Sequence, residues 1–269
     1  MNLHPDLALA RRLERTEAEA NARFVESRAN LMPHSGAEWI EVAGASAMFD
    51  GVHSPCTQTF GLGMFVPLTP DDLDQIEAFY QRHQAPVAHE VCPLADVSVA
   101  GLLAKRGYRP VEYSNVMYRS ISAADWVPAP IDPATTARLT APDEWPNWVD
   151  VAVAGWNEFA EYSASMRELM EVGARRTGAL SFVAERDGAM IAAGALSLGG
   201  TVALLAGAST IPTARRRGAQ LALLAARLRY ALDHGCDVAM MVASPGSGSQ
   251  RNAERHGFRV AYTRTKWSR

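Results

Sequence analysis

The stretch Val202–Leu224, VALLAGASTIPTARRRGAQLALL, decides the fold. An apolar strand ends in small residues, passes Pro212 and enters a helix through Arg215-Arg216-Arg217-Gly218. A helix entered this way offers unpartnered amides and the positive end of its dipole. Gly218 has no side chain to hold a ligand off the backbone. Such an entrance suits a pyrophosphate. Arginine opposes the dipole, so a run of three is best explained by an anion that offsets the repulsion. On charge alone a solvated basic patch stays open as an alternative. The Gly-Lys-Ser/Thr ending of a Walker loop and the spaced glycines of a dinucleotide fingerprint are both missing.

Outward from this stretch, the second half reads as an ordered set of elements. Strands are expected at Thr136–Thr140, Leu180–Arg186, Met190–Leu198, Val202–Thr210, Asp237–Ala243 and Phe258–Trp267, with turns at Asp187-Gly188 and Gly199-Gly200. Helices are expected at Asp143–Trp156, Ser163–Arg176, Arg215–His234 and Ser249–His256, the last two stopped by Gly235 and Gly257. The segment 125–133, DWVPAPIDP, holds three prolines and no periodicity, and reads as a linker.

The first half reads as a helix over Asp6–Asn30, strands over Ala37–Asp50 and Thr57–Val66, and a helix from Thr69-Pro70 to His83. A strand at Pro86–Cys92, a helix at Asp96–Arg106 and a strand at Tyr108–Arg119 follow. Leu102–Arg109 (LLAKRGYR) echoes Asn252–Arg259 (NAERHGFR), each closing a helix and opening a strand. The shared order of elements points to a tandem duplication.

Composition bounds the rest. The chain has 269 residues, 48% hydrophobic and 20% charged, which suits two domains of moderate size. A net charge of −3 provides no global field for nucleic acid, and no aromatics interleave with the arginines. Cys56, Cys92 and Cys236 lie far apart, without metal spacing, and fit a reducing compartment. The histidines show no ligand spacing either, so no metal is expected. The N-terminus lacks a signal-like apolar core, and no window holds the ~18 apolar residues of a membrane span. These features point to a cytoplasmic protein without membrane or nucleic-acid partners.

Thr210–Gln220 resembles motif A of the GNAT superfamily of N-acetyltransferases, whose loop reads Arg/Gln-x-x-Gly-x-Gly/Ala. Arg215 takes the first position and Gly218 the central one, while Gln220 replaces the final small residue. Asp237–Ala243 resembles the family's splayed strand, and Gln250–Phe258 its motif B with a Gly-Phe ending. The resemblance implies an α/β (α+β) fold of two tandem GNAT-like domains, each a mixed, mostly antiparallel twisted sheet flanked by helices. Residues 1–124 would be a degenerate copy and 134–269 the acetyltransferase domain. Acetyl-CoA would be the co-substrate. Main-chain groups of Ala208, Ser209 and Thr210 would pair with its pantetheine arm. Backbone amides from Arg215 through Arg216, Arg217, Gly218, Ala219 and Gln220 to Leu221 would hold its pyrophosphate. The equivalent entrance in the first half, Met64–Gln75, carries Asp71, Asp72 and Asp74, which would repel a pyrophosphate.

An amine would attack the acyl carbonyl directly in a ternary complex, which requires a base and an acid. The motif B tyrosine that often serves as the acid is Ala253 here. Tyr262 and Ser249 are the substitutes to test, against the alternatives of a sheet residue and a helix N-cap. Glu158 and Glu161 are candidate bases in the connection that borders the acceptor site, or else solvated loop carboxylates. Trp156, Phe159 and Tyr162 could line an acceptor pocket, whereas Trp145 and Trp148 read as core. The expectation is thus an N-acyltransferase acting on a small-molecule or peptide amine. The missing tyrosine keeps an acyl-CoA-binding sensor as the alternative, and Gln220 keeps a different acyl donor in play.

Overall fold

The computed structural model describes residues 4–123, 132–156 and 163–269. Most of the expected linker, and the connection that carries Glu158, Phe159, Glu161 and Tyr162, lie outside the described residues. The chain divides into two compact units, Met1–Arg119 with Met240–Arg269, and Ser120–Ala239.

The first unit opens with α1 (Leu7–Leu31), whose Asp6 cap accepts from the Leu9 amide at 2.8 Å. Its strands are β1 (Glu38–Val42), β2 (Ala45–Phe49), β3 (Thr59–Phe60), β4 (Ala88–Val91), β5 (Arg109–Ser120) and β11 (Arg259–Ser268). They pair in the order β1-β2-β3-β4-β11-β5, antiparallel except for β3 with β4. The helices are α2 (Pro70–Arg82), α3 (Ser98–Lys105) and α7 (Gly248–Arg255). Leu73, Ile76, Phe79 and Tyr80 of α2 and Val99 and Leu103 of α3 fill the core with the strands' inner faces. Gly107 and Gly257 end α3 and α7 at φ +85° and +83°, and in each case the next aromatic amide reaches back to the helix. The sequence echo is therefore also an echo of backbone geometry.

The second unit carries β6 (Thr135–Leu139), α4 (Trp145–Gly155), α5 (Ser163–Arg175), β7 (Leu180–Arg186), β8 (Ala189–Gly199), β9 (Val202–Thr210) and α6 (Ala219–Asp233). Its strands pair antiparallel in the order β9-β8-β7-β6. The start of β10 (Val238–Ala243) lies here too, with the Asp237 and Val238 amides donating to Thr201 O. Helices cover both faces. Val183 packs with α4 residues while its neighbour Phe182 meets Tyr230 of α6, and successive strand residues point to opposite faces. Both units have the expected architecture of mixed, mostly antiparallel sheets flanked by helices.

Three local expectations need correction. Ala37–Asp50 is a hairpin, broken at Ala43-Gly44, where φ is +50° and +76°. Thr57–Val66 keeps only Thr59–Phe60 as strand, because Gly61 and Gly63 turn the chain at φ +77° and +68°. The long helix expected from Arg215 begins at Ala219: a short 3₁₀ turn at Pro212–Ala214 precedes it, and Gly218 at φ +78° interrupts the helical path.

Candidate active site

The loop from Arg215 to Gly218 stands ahead of α6 rather than inside its first turn. Arg215 is extended, Arg216 is left-handed at φ +64°, and Gly218 is left-handed again. A non-glycine residue at positive φ is strained, and such strain persists only where its surroundings enforce it. Thr135 helps enforce it, its hydroxyl donating to Arg217 O at 3.0 Å. Gly218 is the N-cap, so α6 opens without a side-chain cap and without an acid in its first turn. A Cβ added at Gly218 would meet nothing within 4 Å. Arg216 and Arg217 are exposed. The entrance is thus bare, positive and open to approach, the arrangement that accommodates a phosphate.

Arg215 is placed differently from its neighbours. Although also exposed, its guanidinium donates to Thr210 O at 3.5 Å and to Gly155 O at 3.3 Å, at the C-terminal end of α4. A cation suits that negative helix end. Gln220 donates to the Thr210 hydroxyl at 2.8 Å and ties the first turn of α6 to the end of β9. The departure from the motif at this position is therefore a brace between strand and helix. Ser209 donates to Ala152 O at 3.0 Å, and a Cβ at Gly155 would run into Ser209, so α4 and β9 approach as closely as a glycine permits.

Between β8 and β9 the register slips. Ala193 pairs with Ser209, but Ala195 pairs with Ala206, so β9 carries one extra residue. Gly207 sits in that bulge at φ +59°. Ala206 is exposed and Gly207 and Ala208 half-buried, although Val202–Leu205 before them and Ser209–Thr210 after them are buried. Bulges of this kind re-aim main-chain groups and terminate pairing.

The corresponding entrance in the first unit is closed by its own side chains. The Thr69 hydroxyl accepts from the Asp72 amide at 3.2 Å, and Asp72 accepts from the Thr69 amide at 2.9 Å. This capping box satisfies the orphan amides locally, and Asp71 and Asp72 hold the dipole's positive end.

The sequence-selected acid candidates both lie in the first unit. Tyr262 is buried, and its hydroxyl donates to Glu14 at 2.8 Å. Burial, then the neighbouring Glu14, push this hydroxyl well above its ordinary pKa. Arg264 pairs with Glu17 at 2.7 Å and lies 3.5 Å from Glu14 beside it, so Tyr262 belongs to a buried ionic cluster. Ser249 is exposed on α7 and is not the cap, a role Ser247 takes by accepting from the Gln250 amide at 3.1 Å. Ala253 is buried, and its carbonyl accepts from the Phe258 amide. Trp148 is core as expected, its indole donating to Phe182 O at 2.9 Å. The bulge and the buried Arg227 beneath it (4% exposed) were not anticipated from the sequence, because neither leaves a local pattern.

Comparison with known proteins bears on the family and the fold. Residues 143–258 match the model of the acetyltransferase (GNAT) family. A GCN5-related N-acetyltransferase from Kribbella flavida is 16% identical with a TM-score of 0.63, covering 92% of this chain and 94% of its own. A second, from Sphaerobacter thermophilus, is 17% identical with a TM-score of 0.55, over 79% of this chain and 71% of that one. A tandem GNAT protein from the clavulanic acid biosynthesis pathway is 16% identical with a TM-score of 0.58, over 85% and 78%. At these identities the likeness is one of fold. No curated protein sequence matches the chain significantly.

Proposed function

We propose that this chain, which carries a GNAT-family acetyltransferase domain at 143–258 in a GNAT fold, transfers an acetyl group from acetyl-CoA to a primary amine. One contrast supports this reading most. The α6 entrance is uncapped, glycine-led and flanked by Arg216 and Arg217, whereas α2 opens on its own capping box. Two helices of related context thus treat their orphan amides in opposite ways, and only α6 leaves them for an anion. The pyrophosphate lies on the amides from Arg215 to Leu221. The pantetheine arm runs along Ala208, Ser209 and Thr210, which follow the β9 bulge at Gly207. Residues 134–269 supply this machinery, and the first half acts as a non-binding copy.

In the reaction the deprotonated amine attacks the thioester carbonyl, the C–N bond forms and the C–S bond breaks. A base takes the proton from the ammonium, and the leaving thiolate gains one. Glu158 remains the proposed base. For the acid, Tyr262 would first have to leave Glu14, so exposed Ser249 is the less encumbered of the two candidates. The acceptor is a small-molecule or peptide amine. Among the described residues no helix is long and apolar enough to cross a membrane. The test is release of free thiol from acetyl-CoA across a broad panel of amines. Turnover with at least one amine is expected. Tight acetyl-CoA binding with no turnover on any amine would replace this reading with the acyl-CoA sensor, which Ala253 at the usual acid position favours.

A further inference from the structure

Arg227 is a charged side chain that the fold buries almost entirely, in the middle of α6. Burial alone pushes its pKa down to about 10, and no carboxylate accompanies it among the described residues. A buried cation without a counter-ion is costly and persists where its hydrogen bonds have a purpose. Those bonds go to the main chain. Arg227 Nε donates to Leu223 O at 3.1 Å on its own helix. Its Nη1 donates to Ala195 O on β8 at 3.1 Å and to Ala206 O on β9 at 3.5 Å. Ala195 and Ala206 are the pair at which the β8–β9 register resumes after the bulge. Gly194 leaves room for the guanidinium, since a Cβ there would lie 3.2 Å from Arg227 Cζ.

We infer that Arg227 is a positioning residue that clamps the β9 bulge from beneath and so sets the path of Ala208, Ser209 and Thr210 along the pantetheine arm. The inference rests on the proposed acetyl-CoA site. With Ala206 O held toward α6, the trans peptide points the Gly207 amide to the opposite face, the side of Ser209 and the end of α4. The arginine fork reaches both strands at once, a geometry that a lysine point charge does not reproduce.

The clamp acts on the pantetheine arm and not on the phosphates, which supplies the test. Acetyl-CoA and adenosine 3′,5′-bisphosphate are titrated calorimetrically into wild type, Arg227→Met and Arg227→Lys. Arg227→Met should lose about tenfold in acetyl-CoA affinity. Its affinity for the bisphosphate should stay within about twofold of wild type. Arg227→Lys, which keeps one charged donor, should recover part of the loss. Should Arg227→Met fail to fold, Gly194→Ala displaces the guanidinium without removing it and is expected to show the same split. Unchanged acetyl-CoA affinity, or equal loss of both probes, in the folded variants overturns the clamp. A wild type that binds neither probe overturns the site itself, and the clamp with it.

Discussion

Gly218 shows how one residue shapes a helix entrance. Its left-handed backbone stops the helical path, so the arginines stand outside α6 and the first-turn amides stay bare. Gly218→Ala meets no steric obstacle but forces a Cβ into a left-handed conformation, at a cost of about 1 kcal/mol. The variant should fold, melt a few degrees lower by thermal denaturation, and lose about tenfold in acetyl-CoA affinity. Glu14 makes a different residue-scale argument. Burial holds its carboxyl above the ordinary value of 4.5, against the opposing pull of Arg264. A raised folded-state pKa means that Glu14 contributes stability at low pH, which is lost as pH rises through the raised value. Glu14→Gln still accepts from Tyr262 and removes the titration. Its stability relative to wild type, measured by urea unfolding, should therefore improve between pH 5 and pH 8. A difference that is flat, or that falls with pH, would contradict a raised pKa that titrates in this window.

At the scale of elements, the contrast between α2 and α6 lies in how each entrance is satisfied. Thr69→Ala breaks the capping box and should cost about 1 kcal/mol in denaturant unfolding, with acetyl-CoA affinity unchanged. The same contrast explains what was legible in the sequence. Aspartates after Thr69-Pro70 and arginines before Gly218 are local signals, legible in the sequence as an acidic and a basic helix entrance. The start of α6 was not, because arginine is a good helix former and only the backbone at Gly218 breaks the helix there. The Ala43-Gly44 turn was hidden for a related reason, since it lacks the Asn-Gly or Asp-Gly pair that marks such hairpins. Arg227 was invisible as well. On a helix it looks like any polar position, and its burial depends on Gly194 of β8, distant in the chain.

At the scale of the whole molecule, the long-range pairings decide what folds together. Met240–Arg269 belongs to the compact unit that contains Met1–Arg119, and β11 lies between β4 and β5. Arg264 on that strand carries the buried ionic cluster with Glu14 and Glu17 of α1. A chain ending at Ala239 should therefore lose the cooperative unfolding of the first unit by circular dichroism, even though the missing residues are the last in sequence. A strand inserted from so far along the chain leaves no local trace in the sequence. The account's central claim is that acetyl-CoA binds at the loop before α6 and not at the acidic entrance of α2. Calorimetric titration of acetyl-CoA into wild type and the double variant Arg216→Ala/Arg217→Ala tests it most directly. The account predicts saturable binding by wild type, and at least about a tenfold weaker, less salt-dependent association in the variant. Equal affinity and equal salt dependence in the two proteins would contradict it.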